Sequence, residues 1–171
     1  DHTLGDLPQK FIHRLGSLQK GNHVVGFTKV TEKLDEIYTS SKKYIYNVLA
    51  EISYSEDTLE AIKSSLERKV EIHSIIAHNA VTSSNRKNQY EKKGFDNFVK
   101  IGLLERKMLE HISVSVILNE KNAVVLFPKL NGSVDLGEMF FSDDSDFHEW
   151  CLDYFFDCWN KAKRFDENKL V

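Results

Sequence analysis

The strongest constraint on the fold is a strand, a helix and a second strand that follow one another in the middle of the chain. Residues 43–52 form a nearly continuous apolar run rich in aromatic and β-branched side chains, which is typical of a strand covered on both faces. Leu59, Ile62 and Leu66 then recur at helical spacing, and residues 70–77 form a second β-rich run. The sequence therefore predicts parallel strands joined by a right-handed crossover.

The second half of the chain predicts antiparallel strands and a long helix. Residues 112–118 and 123–127 are β-rich and are separated by a short polar loop, which indicates a hairpin. Aromatic and other apolar residues then recur at helical spacing from Phe147 to Ala162. We therefore expect an α/β fold with a mixed, partly parallel sheet, flanking helices and a long C-terminal aromatic helix.

Length and charge limit the functions that are compatible with the chain. Its 171 residues suit a single domain, and we expect residues 1–171 to form one. The formal net charge of -3 argues against a surface built wholly for phosphate backbones. The sequence has neither the apolar run of a membrane helix nor a signal peptide, so we expect a cytoplasmic location. The first residue is Asp1 instead of Met, which leads us to expect further sequence upstream.

The two cysteines favour a structural role. On one helix, Cys151 and Cys158 would be about 10 Å apart along the axis, beyond the roughly 7 Å limit for a disulfide. His148 would share their face, which leaves a zinc site as an alternative. The rest of that face is aromatic, so we predict a core and neither a metal nor a cofactor.

Polar residues follow the two predicted parallel strands and indicate a binding site. Ser53 and Tyr54 come after the first strand, and His78 comes after the second. Open α/β sheets bind ligands at the carboxyl ends of their strands. The alternative is that these are loop residues that cap helices.

The basic stretch from Arg86 to Lys107 also allows two interpretations. It could contact phosphate, but Glu91, Asp96 and Glu105 interleave with its cations. This mixture favours a solvated helix face.

Both ends of the chain resemble one regulatory domain. The opening His2-x-Leu4-Gly5-Asp6-Leu7-Pro8, followed by Phe11-Ile12-x-Arg14-Leu15-Gly16-x-Leu18, is similar to its start. Val124-Val125-Leu126-Phe127, Gly132-Ser133-Val134-Asp135-Leu136 and the helix with Glu149-Trp150 and Tyr154-Phe155 are similar to its end. This domain follows the winged helix of archaeal transcription regulators of the methanogenesis-regulator (FilR) type, and the resemblance covers nearly the whole chain.

The middle of the chain resembles the phospholipase D-like folds, which include the effector domain of TrmB-type regulators. Active members carry H-x-K-x-x-x-x-D on the late hairpin. Here His111 is followed by Ser113 at the lysine place and Leu118 at the aspartate place, with Asn119 one position later. The resemblance therefore implies a relative without the phosphodiester chemistry, and we expect the chain not to be an enzyme.

The resemblance implies an effector-sensing and dimerisation domain, with a winged-helix DNA-binding domain upstream of Asp1. The expected partners are a second copy of the chain and an unknown small-molecule effector; DNA would be contacted only by the winged helix, and no membrane is involved. The candidate ligand-binding residues are Ser53, Tyr54, His78, His111, Ser113 and Ser115. The candidate dimer-interface residues are Trp150, Tyr154 and Trp159.

Two other functions remain open at this point. One is a divergent phospholipase D-like phosphodiesterase or nuclease. The other is a dimerisation module without a ligand, which a closed interior without polar groups at the strand ends would favour.

Overall fold

Parallel and antiparallel strands combine in one sheet. The computed structural model describes residues 1–52, 55–82 and 86–170. Its strands are β1 (Asn22–Val25), β2 (Tyr44–Ile52), β3 (Glu71–Thr82), β4 (Leu104–Leu109), β5 (Ser115–Asn119), β6 (Ala123–Leu126), β7 (Glu138–Ser142) and β8 (Lys163–Arg164). Within the described residues these eight strands form a single sheet in the order β1-β7-β6-β5-β2-β3-β4-β8.

Helices cover both faces of this sheet. They are α1 (Gln9–Ile12), α2 (Phe27–Ser40), α3 (Glu56–Glu67), α4 (Arg86–Lys93), α5 (Phe95–Lys100) and α6 (Ser145–Lys161), with 3₁₀ helices at Leu15–Leu18 and Glu167–Lys169. One core cluster packs α1 and α6 against the sheet, and a second packs α2, α3 and α5 against it. Among the described residues, no helix has both the length and the apolarity needed to cross a membrane.

The predicted β-α-β unit is confirmed. Strands β2 and β3 are parallel, with Tyr44 opposite Glu71 and Val48 opposite Ile75, and β3 is also parallel to β4. The remaining strand pairs are antiparallel. The mixed, partly parallel sheet with flanking helices is therefore as the sequence predicts.

The predicted hairpin is also confirmed, as β5 and β6. Ser115 pairs with Leu126, and Leu118 pairs with Ala123. Asn119 closes the turn because its Oδ1 accepts hydrogen bonds from the backbone N–H groups of residues 121 and 122, at 2.9 and 2.7 Å. Strand β7 was not predicted; it pairs with both β6 and β1 and extends the antiparallel half of the sheet.

The C-terminal aromatic helix is α6, and its apolar face packs on the sheet. Asp144 caps its start by accepting hydrogen bonds from the backbone N–H groups of residues 146 and 147. Trp150 is fully buried and donates from Nε1 to the carbonyl oxygen of Phe11 at 3.1 Å. Tyr154 donates its hydroxyl to the carbonyl oxygen of Val114 at 3.0 Å.

Two of the candidate dimer-interface residues thus lie inside the core of the chain itself. A partner could contact Trp150 or Tyr154 only if α6 moved away from the sheet, because both side chains are enclosed by their own fold. Trp159, near the end of α6, is only partly buried.

The segment after β3 differs from the expectation. The second β-rich run was expected to end at residue 77, but β3 continues to Thr82 and α4 begins at Arg86. The strand continues because its pairing with β2 resumes at Glu51 and Val81 after a register shift. His78 therefore lies within β3 and does not follow its end, which corrects its predicted position.

Candidate ligand-binding cavity

A cavity of about 130 Å³ lies between α2 and the sheet. Val30 and Leu34 of α2 form one wall, and Leu49 of β2 and Ile117 of β5 form the opposite wall. Leu136, from the segment before β7, closes one side. An engineered apolar cavity of about 150 Å³ binds benzene, so the space suits a ligand with a small apolar body.

Polar groups line the cavity where β2 ends and α3 begins. Ser115 Oγ accepts a hydrogen bond from the backbone N–H of Ala50 at 3.1 Å. Thr58, which also lines the cavity, donates from Oγ1 to Asp35 Oδ1 at 2.7 Å. The cavity therefore offers hydrogen-bonding groups to the polar end of a ligand whose body lies against the apolar walls.

Glu51 is the cavity residue that the fold leaves unpaired. Its side chain is partly buried and, among the described residues, it has no hydrogen-bond or ion-pair partner. Burial raises the pKa of its carboxyl group, because removing water disfavours the charged form. An unpaired carboxyl group beside an apolar space is available to a hydrogen-bond donor on a ligand.

The predicted ligand-binding residues are only partly brought together. Ser115 lines the cavity. His78 is partly buried within β3, and His111 has an exposed side chain whose Nε2 lies 3.8 Å from Asp6 Oδ2. Ser53 and Tyr54 lie outside the described residues.

Ser113 is engaged by the N-terminal segment. Its hydroxyl accepts a hydrogen bond from the backbone N–H of Asp6 at 2.9 Å and donates to the Asp6 carboxylate. Gly5 allows this approach, because its φ of +58° favours glycine and a Cβ there would overlap with Ser113. Ser113 therefore holds the N-terminal segment against the sheet.

The cysteines have the environment of core residues. Cys151 and Cys158 are both buried, and burial raises the pKa of the Cys158 thiol to about 12. His148 shares the helix but directs Nε2 to the carbonyl oxygen of Asn119, at 2.7 Å. In the part of the chain that the structure describes, no group of three or more His, Cys, Asp or Glu residues could hold a metal ion.

Sequence reasoning missed the α2 wall and Glu51. Val30, Leu34 and Tyr38 recur at helical spacing, which is a usable signal for one helix face, but a face of this kind usually packs without leaving space. Glu51 lies inside an apolar run, where a single charged residue is a signal for a polar site.

Replacing Glu51 by glutamine tests its environment. The folded pKa of Glu51 is raised, so the folded state binds more protons than the unfolded state, and wild-type stability falls as pH rises through the interval between the two pKa values. Glu51→Gln lacks this ionisation. Its free energy of unfolding relative to wild type should therefore increase from pH 4 to pH 7, as measured by urea denaturation.

Glu32→Gln is the matched control for this experiment, since Glu32 is exposed on α2. If the difference between Glu51→Gln and wild type stays constant across this pH range, the carboxyl group of Glu51 is not desolvated.

Comparison with known proteins shows which solved structures have a similar fold. No protein-family model and no curated protein matches the chain. Among solved structures, TrmBL2, an archaeal chromatin protein, has a TM-score of 0.62 at 14% identity, covering 92% of this chain and 61% of its own. Nuc from Salmonella typhimurium, a phospholipase D family member, has a TM-score of 0.61 at 12% identity, covering 86% of this chain and 100% of its own. NucT from Helicobacter pylori has a TM-score of 0.63 at 13% identity, covering 85% and 99%.

These similarities show that the chain has the phospholipase D-like fold that TrmBL2 also contains. At 12–14% identity they concern the fold alone. The chain spans 61% of the length of TrmBL2.

The comparison also corrects one prediction. We expected the chain not to be an enzyme, because H-x-K-x-x-x-x-D is not present. That prediction is wrong, because the same fold occurs in a phospholipase D family member. A motif describes one arrangement of catalytic residues, and its absence does not decide what a fold of this class can do.

Proposed function

We propose that this chain is the effector-sensing and dimerisation domain of an archaeal transcription regulator of the FilR type. The proposal is supported above all by the cavity under α2, in a fold shared with TrmBL2 over 92% of this chain. TrmBL2 is described as binding DNA, and 39% of its length lies outside the match. In the proposed regulator a winged helix outside residues 1–171 contacts DNA.

In this proposal the effector enters between α2 and the sheet. Its apolar body packs on Val30 and Leu34, and its polar end meets Glu51 and Ser115. Helix α2 directly follows β1, the edge strand of the sheet, so a shift of α2 is transmitted to that edge. The effector acts only if it binds one dimer geometry more tightly than another. A two-fold dimer would match palindromic half-sites in DNA.

The test is the DNA binding of the complete gene product. We expect the complete product to contain a winged helix and to shift duplex DNA in a salt-dependent manner. Residues 1–171 alone should bind at least about 100-fold more weakly, because their net charge is -3. Electrophoretic mobility shifts at two salt concentrations measure both quantities.

A complete gene product without a DNA-binding segment would contradict the proposal. So would equal DNA affinity for the complete product and for residues 1–171, since the domain would then be the DNA-binding part.

A phosphodiesterase is the second candidate. It is supported by the match to essentially the full length of Nuc and NucT, at 100% and 99% of those chains. The same preparation can be assayed with bis(p-nitrophenyl) phosphate. Turnover that disappears in His111→Ala would favour the enzyme over the sensor. A dimerisation module without a ligand is less well supported, because polar groups line the cavity and Glu51 has no partner among the described residues.

A further inference from the structure

Arg86, the first residue of α4, is buried with part of its hydrogen-bonding capacity unused. Arg86 is only 5% exposed, and its Nη1 forms an ion pair with Glu167 Oε1. Its Nε and Nη2 are buried and have no hydrogen-bond partner among the residues that the structure describes. Burying a charged group with unused donors is costly, so an anion held close to Arg86 would offset part of this cost.

A second arginine, Arg106, lies against the ring of Phe165, and Arg86 lies near the same ring. The guanidinium carbon of Arg106, on β4, lies 4.2 Å from the centre of the Phe165 ring, and that of Arg86 lies 5.9 Å from it. Arg106 is partly buried and has no ion pair with any described residue. Burial lowers its pKa, and the nearby Arg86 adds to this effect. The two cations thus lie against one ring, and within the described part of the chain only Arg86 has an ion pair.

The two arginines face an open cleft of about 430 Å³. Lys87, Tyr90 and Asn168 also line it, and its surface is more polar than apolar. The acidic residues on the cleft are Glu91, Asp96 and Glu167. Of these, Glu167 already pairs with Arg86, while Glu91 and Asp96 have exposed side chains.

We propose that this cleft is a binding site for a small oxyanion, the phosphate or carboxylate group of a metabolite. Arg106 lines the cleft and has no ion pair with a described residue, and the parallel N–H groups of its planar guanidinium match the oxygen atoms of a carboxylate or phosphate. Arg86, whose Nε and Nη2 are buried, adds a second positive charge next to the cleft, and its guanidinium carbon lies 4.7 Å from the centre of the Tyr90 ring. The site is built from α4, β4 and residues 165–168, so it is separate from the cavity under α2 and does not depend on the function proposed for that cavity.

The test measures the thermal unfolding of the 171-residue chain with inorganic phosphate, acetate or chloride at equal ionic strength. A ligand that binds the folded state raises Tm in a concentration-dependent manner. We expect phosphate or acetate to raise Tm above the chloride value, and the more effective anion identifies the oxyanion. Arg106→Gln should raise the fitted Kd of that anion at least about tenfold, because a charged hydrogen-bonding group is lost.

Arg106→Gln is preferred to a change at Arg86, because it leaves the Arg86–Glu167 ion pair in place. Arg164→Gln is the matched control: it removes one cation from the exposed strand β8 and should leave Kd unchanged. The proposal is overturned if both anions behave like chloride, since water alone would then occupy the cleft. It is also overturned if Arg106→Gln and Arg164→Gln change Kd equally.

Discussion

Trp150→Ala should lower the free energy of unfolding by about 3–5 kcal/mol. The side chain is fully buried between α6 and the sheet, and its ring lies 5.5 Å from that of Phe11 in an edge-to-face arrangement. The substitution removes these contacts, leaves a cavity and eliminates the hydrogen bond to the carbonyl oxygen of Phe11. Urea denaturation monitored by circular dichroism measures the change.

Two further variants separate packing from other effects. Trp150→Phe keeps most of the ring but loses the hydrogen bond, and should cost about 1–3 kcal/mol. Phe156 lies on the same helix but is 41% exposed, so Phe156→Ala should lower the free energy of unfolding by less than half as much as Trp150→Ala. A cost below about 1 kcal/mol for Trp150→Ala would mean that α6 is not packed as described, and its aromatic face would again be available to a partner.

The elements that the sequence predicts are those whose signal is local. The apolar run before Ile52 and the helical spacing of α3 lie within short windows, and the structure confirms both. The aromatic helix α6 has the same advantage. Strand β7 was missed because residues 138–142 are short and follow an irregular segment, and only pairing with β6 and β1 makes them a strand. The extension of β3 was missed for a related reason, since the register shift near Glu51 has no local signature.

The candidate site was harder to predict from the sequence, because a cavity forms where side chains from different elements do not pack against one another. Ser115 was one of the candidate ligand-binding residues, and it does line the cavity. His78 was placed at a strand end, but the strand continues past it. The α2 wall follows from the way that helix lies across the sheet, which depends on tertiary packing. Arg86 was treated as part of a solvated helix face, and its burial depends on distant residues at the C-terminus.

Asn119, at the hairpin turn, uses both ends of its amide. Oδ1 accepts the two turn N–H groups, while Nδ2 donates to the carbonyl oxygen of Ile37 at 2.9 Å and to Ser40 Oγ at 3.1 Å. The residue is 1% exposed. The amide therefore joins the end of α2, which carries one wall of the cavity, to the hairpin.

Asn119→Asp should consequently lower the free energy of unfolding by about 2–4 kcal/mol at pH 7, although the two side chains have nearly the same shape. The second carboxylate oxygen would face the carbonyl oxygen of Ile37, where a donor is required. The loss should be smaller at pH 4, because a protonated carboxyl group can donate again. Asn131→Asp is the matched control, since exposed Asn131 only accepts hydrogen bonds in its turn, from the N–H and hydroxyl of Ser133, and a carboxylate can do the same. Equal and small losses for the two variants, from urea denaturation at both pH values, would show that the amide does not fix α2 to the hairpin. An aspartate at this position, one place after the aspartate of the active phospholipase D-like pattern, should therefore weaken the contact between α2 and the hairpin.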